Sequence, residues 1–113
     1  MPSMRDLEVH IVESLTERKY PFMEDVDGRL YFHKKGKSAP DVALVALARR
    51  HPARISKEDL VKIVARNGFE EHNARMALAR ISHLVDDDGA GRLRLLAPGR
   101  EKADEIMRSA ADA

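Results

Sequence analysis

The residues of this sequence whose types invite chemistry are three consecutive aspartates, five histidines and a cluster of Asn, Arg and His around position 75. Asp86-Asp87-Asp88-Gly89 comes first, because carboxylates ahead of a glycine can build a calcium loop. Such a loop needs oxygen ligands at alternate positions before the glycine and a closing glutamate after it. With Gly89 as that glycine, the ligand positions fall on Leu84, Asp86 and Asp88, and the closing position falls on Leu95. A leucine side chain offers no oxygen, so the stretch reads as a turn. His72 and His83 fall on one side of a predicted helix. Its turns separate them by roughly 16 Å, too far to share one zinc ion. His10, His33 and His51 have no partner at ligand spacing. There is no cysteine, no H-E-x-x-H, no G-x-S-x-G and no glycine-rich phosphate loop. The sequence therefore reads as a binding module, not an enzyme, with no metal or cofactor expected.

The chain of 113 residues fits one domain that folds without staples. Its 43% hydrophobic content is that of a folded protein, not of a disordered tail. The lack of cysteine fits a reducing compartment. Charges run throughout MPSMRDLEVHIVESL, unlike a signal peptide or a membrane span. The expectation is a cytoplasmic protein without membrane contact. Net charge is only +1, but it is unevenly spread: residues 1–27 carry −4, residues 28–66 carry +7 and residues 67–113 carry −2. A basic middle can leave an electrostatic footprint for an anionic partner despite a near-neutral total. The plainer reading is a solvated loop, because Lys34, Lys35 and Lys37 flank Gly36.

Met4, Leu7, Ile11 and Leu15 recur at helical spacing and predict an amphipathic helix over about 4–18, ended by Tyr20-Pro21. Asp27-Gly28 between two apolar runs predicts a hairpin. Pro40 suits the first turn of a second helix, which Pro52 closes. Val42 to Ala48 are apolar all round, as in a buried central helix. Ser56 and Asp59 start a third helix that runs to about Arg66 with Leu60, Ile63 and Val64 inward. Asn67-Gly68 supplies a turn.

A fourth helix is predicted over about 70–84, with Ala74, Ala77, Leu78, Ile81, Leu84 and Val85 on one side. His72, Met76, Ala79 and His83 fall on the other, flanked by Asn73, Arg75 and Arg80. Beyond the turn, Arg92-Leu93-Arg94-Leu95 alternates like a half-buried strand with the leucines inward. A short strand near Arg54-Ile55 could pair beside it. Pro98 opens a last helix that Ala103, Ile106, Met107 and Ala110 line on one face.

From about residue 40 the order is helix, helix, turn, helix, β-hairpin, helix. The stretches ISKEDLVKIVARNGFEEHNARMALARISHLV and GRLRLLAPGREKADEIM resemble the winged-helix branch of the helix-turn-helix superfamily. The resemblance covers residues 40–111. It implies a mainly α fold with a small β component, made of an N-terminal extension over 1–39 and a winged-helix domain over 40–113. It also implies a transcriptional regulator that binds double-stranded DNA, with the fourth helix in the major groove and a wing over 85–96 on the backbone. On that reading Arg75, Arg80, Asn73 and Met76 meet bases or phosphates, and His72 and His83 donate to phosphates. Lys57, Arg92 and Arg94 hold the backbone.

Regulators of this kind are often homodimers, and the terminal helices, together with the 1–39 extension, offer a dimer surface. Two features are unlike the family pattern: Glu70-Glu71 at the start of the fourth helix, and the three aspartates at the wing tip. They favour an alternative, a winged-helix adaptor that binds protein and not DNA. A third reading is an effector-sensing regulator whose ligand the sequence does not specify. Convergence of Arg75, Arg80, Arg92, Arg94 and the basic 28–66 residues on one face would favour DNA.

Overall fold

A computed structural model describes residues 22–112, so the helix expected over 4–18 lies outside the described residues. Strands β1 (Met23–Val26) and β2 (Arg29–Phe32) form an antiparallel hairpin with Met23 opposite Phe32. Asp27 and Gly28 take φ values of 54° and 85°, and a two-residue turn of this hand needs positive φ at both central positions. The Asp25 carboxylate accepts the Gly28 N–H at 2.9 Å and fixes that turn. Alternation then sends Leu30 and Phe32 inward, each only 3% exposed.

Helix α1 (Ala39–Arg50) begins one residue before Pro40, on a capping box. Ser38 Oγ accepts the Asp41 N–H at 3.3 Å, and the Asp41 carboxylate accepts the Ser38 N–H at 3.5 Å. Val42 to Leu47 are all buried, as a helix apolar on every side requires. Strand β3 (Ile55–Ser56) leads into α2 (Lys57–Arg66), where Ser56 Oγ caps the Asp59 N–H at 3.1 Å. Leu60, Val61, Ile63 and Val64 form its buried face. Gly68, at φ 102°, makes the turn toward α3 (Glu71–Arg80).

Helix α3 is shorter than the span of 70–84 read from periodicity. It stops at Arg80, and residues Ser82–Leu84 form a 3₁₀ turn in which the Leu84 N–H donates to Ile81 O at 2.8 Å. The cause lies on either side of the turn. Ile81 is 3% exposed and anchored in the core, while Val85 must already be extended to pair with Leu95. A tight i→i+3 turn converts the one direction into the other within three residues. His83 therefore stands on this turn, off the helix that carries His72.

Strands β4 (Val85–Asp87) and β5 (Arg92–Leu95) complete a three-stranded antiparallel sheet in the order β3-β5-β4. Ile55 and Asp87 flank Leu93, and Val85 lies opposite Leu95. Leu93 and Leu95 are buried, while Arg92 is exposed and Arg94 half-buried. Helix α4 (Ala97–Asp112) follows at once and buries Ala103, Ile106 and Ala110. Gly99 is where α4 meets the 3₁₀ turn, since a Cβ there would lie 2.5 Å from Leu84 O and 2.9 Å from Leu95 Cδ2.

Among the described residues these elements make a mixed α/β unit of four α-helices and two small antiparallel sheets. Leu30 and Phe32 of the first hairpin share one hydrophobic core with the helices. Asn67 joins the two polar frameworks. Its Oδ1 accepts the Phe32 N–H at 2.7 Å, and its Nδ2 donates to Leu30 O at 3.1 Å and Ile63 O at 2.8 Å. No helix among the described residues is long and apolar enough to cross a membrane.

Candidate functional site

Helix α3 buries one narrow stripe, Ala74 and Ala77, against the other helices. Small side chains there let it pack closely and leave most of its circumference to solvent. His72, Asn73, Arg75, Met76 and Arg80 are all exposed, Met76 at 47%. The helix stands as a ridge between two concavities. On one side, about 250 Å³ of space is lined by Asn73, Met76 and Arg80 together with Ser38, Pro40 and Phe69. On the other, about 340 Å³ has a floor of Val61, Leu78, Val85 and Leu93 and a rim of Lys57, Arg75, Ser82 and Asp87.

Lys57, Arg75 and Asp87 thus meet at one concavity, and Asn73, Met76 and Arg80 at the other. His72 and His83 line neither. Arg92 and Arg94 also stand apart, because alternation along β5 points Leu93 into the floor and the two arginines away from it.

The three aspartates are not a free acidic patch. Arg54 Nη2 donates to Asp86 Oδ2 at 2.6 Å, Lys57 Nζ lies 3.1 Å from Asp87 Oδ2, and Arg92 Nε donates to Asp88 Oδ2 at 3.1 Å. The remaining oxygens organise the loop between β4 and β5. Asp87 Oδ1 accepts the Gly89 N–H at 2.8 Å and the Gly91 N–H at 3.3 Å. Asp88 Oδ1 accepts the Ala90 N–H at 2.8 Å and the Arg92 N–H at 3.2 Å.

These bonds favour the ionised form. Asp87 is held below the ordinary carboxylate value chiefly by the Gly89 N–H and then by Lys57. Asp88 is held below it chiefly by the Ala90 N–H, helped by Arg92. Among the described residues no group of His, Cys, Asp and Glu side chains is placed to hold a metal ion.

Arg75 is engaged as well, its Nη2 donating to Glu71 Oε2 at 2.7 Å, one helical turn away. Arg80 makes no ion pair among the described residues. Sequence reasoning missed Arg54, whose Nη1 also donates to Asp86 O at 3.1 Å and Arg92 O at 3.0 Å, clamping both strands of the hairpin. No local motif marks it, because its partners lie more than thirty residues away. Comparison with protein-family models, curated proteins and solved structures finds no match for this chain.

Proposed function

We propose that the protein is a winged-helix DNA-binding regulator, with α3 as the recognition helix and the β4–β5 hairpin as the wing. The order α1, β3, α2, α3, β4, β5 and the strand order β3-β5-β4 support this reading. The observation that carries it is α3 itself. An exposed ridge bearing His72, Asn73, Arg75, Met76 and Arg80 between two concavities has the form of a helix that enters a major groove. Arg and Asn read guanine and adenine edges there, and Met76 offers an apolar contact to a thymine methyl. The wing aspartates oppose this less than their number suggests, since each already faces a cation. A homodimer would set two such helices on two half-sites.

Selection of bound duplexes from a random DNA pool tests the reading, with an Arg75→Ala/Arg80→Ala variant as control. Enrichment of a common sequence by the wild type and its loss in the variant is the expected result. No enrichment at low ionic strength sinks it.

Two observations favour the adaptor reading. Arg75 and Arg80 line different concavities, Arg92 and Arg94 line neither, and of the basic residues of 28–66 only Lys57 lines either, so these cations do not converge on one face. The larger concavity has an apolar floor of Val61, Leu78, Val85 and Leu93, and both of its rim cations, Lys57 and Arg75, are tied, to Asp87 and Glu71. A protein partner inserting an apolar side chain would suit that floor. The pool selection separates the two readings, because an adaptor enriches nothing.

A further inference from the structure

Of the ten basic residues of 28–66, Lys57 joins the concavity beside α3, whereas five gather in a different one, about 360 Å³ in volume, lined by Arg29, Arg50, Arg54, Lys62 and Arg66. These come from four places in the chain: the first hairpin, the end of α1, the segment before β3, and α2. Asp27 and Asp59 line it too, and Asp25, Asp27 and Asp86 pair with Arg50, Arg29 and Arg54. That leaves an excess of one positive charge, with Lys62 and Arg66 as the cations not ion-paired among the described residues.

The concavity lies across α2 from the one beside α3. Lys57 and Val61 line the α3 side, whereas Asp59, Lys62 and Arg66 line this one. At 100° per residue the two sets point to opposite flanks of the helix.

We infer that this concavity is a second polyanion-binding surface, shaped for the phosphodiester backbone of a nucleic acid. Two arginines are already fixed in place. Arg50 donates to Asp25 Oδ2 and to Gly28 O, each at 3.1 Å, and Arg54 is held by the β4–β5 hairpin. Lys62 and Arg66 are exposed and make no ion pair among the described residues. Being four positions apart, they stand roughly 6 Å apart along the axis and share one flank of α2.

Four of the five cations are arginines, whose planar forks match phosphate oxygens in pairs. Arg29, Arg50 and Arg54 already donate to protein acceptors, so Arg66 is the one that offers its whole fork. The apolar lining argues against a peptide. It consists of Ile55 and Ile63, both under 9% exposed, so no aromatic or aliphatic anchor is on offer of the kind a protein interface needs. The surface binds by charge and is indifferent to base sequence. It does not depend on which residues of α3 read bases.

The test uses the full chain, a fluorescein-labelled random-sequence duplex and poly-L-glutamate as probes. Their binding is measured across a salt series for the wild type, Lys62→Glu/Arg66→Glu and Arg75→Ala/Arg80→Ala. Both substituted α2 residues are exposed, and circular dichroism checks that the fold is kept.

Charge reversal is expected to weaken duplex binding on the order of tenfold and to flatten the slope of log K against log salt by about 2. The α3 variant should retain this salt-dependent component. Unchanged affinity and slope after charge reversal overturns the inference while leaving the α3 reading intact. Loss of all duplex binding in the α3 variant alone does the same. Binding of poly-L-glutamate without binding of the duplex overturns it in favour of an acidic peptide.

Discussion

Lys57 and Asp87 face each other at 3.1 Å and tie the first residue of α2 to the end of β4. The pair also sits at the rim of the concavity beside α3, so one carboxylate occupies a cation that a phosphate would otherwise meet. Exchange of Asp87 for Asn keeps an oxygen to accept the Gly89 N–H but removes the charge. Since an exposed pair of this kind contributes little to stability, Asp87→Asn should fold normally and bind duplex DNA roughly two- to fivefold more tightly. Fluorescence anisotropy at fixed salt measures this. Unchanged or weaker binding would remove Lys57 from the proposed contact set.

Asn67 is the counterpart within the fold. Replacement by alanine leaves the Phe32 N–H and the Leu30 and Ile63 carbonyls without their partner. The expected cost is about 2 kcal/mol, read as a lower urea midpoint with an unchanged slope. Asn67→Asp should also destabilise, because a carboxylate accepts from Phe32 but cannot donate to the two carbonyls.

Gly99→Ala tests the meeting of α4 with the 3₁₀ turn. Alanine is the better helix former by about 0.5–1 kcal/mol, yet its Cβ would lie 2.5 Å from Leu84 O. That carbonyl also accepts the Leu96 N–H at 2.9 Å and cannot retreat without losing the bond. The clash should outweigh the propensity gain and destabilise the protein by about 1–3 kcal/mol in urea titration.

The pH dependence of stability should show two acid-side losses. His51 is held below its ordinary 6.5 by partial burial first, then by Arg100 and Arg94, and its Nε2 accepts from Arg100 at 3.2 Å. The unfolded chain therefore protonates His51 more readily, so its contribution is complete above 6.5 and is lost as pH falls below that value.

Asp25, Asp87 and Asp88 are likewise lowered, Asp25 chiefly by its hydrogen bond from Arg50. Their contribution is complete above roughly pH 4 and disappears as pH falls through their lowered values. Thermal midpoints across pH 2–8 check both losses, and His51→Gln should abolish only the upper one.

Most elements were legible in the sequence because their signals are local. Asp27-Gly28 marks a turn that only positive φ can make, Ser56 with Asp59 marks a helix start, and Val42 to Leu47 can belong only to a buried helix. The end of α3 was not legible. Periodicity ran on through Leu84, but the core anchored Ile81 while β5 claimed Val85, a competition invisible within one helix. The Ser38 capping box went unread because Pro40 was the stronger local mark of where α1 begins.

For the candidate surfaces the division is sharper. The sequence by itself determined which face of α3 is exposed and that the middle of the chain is basic. Helical period and charge count are properties of neighbours along the chain. Only the tertiary structure decided where the charges act. It brought Arg54, Lys57 and Arg92 to the three aspartates, and it gathered Arg29, Arg50, Arg54, Lys62 and Arg66 on the far flank of α2. Electrostatic energy depends on distance through space, and that distance is set by packing.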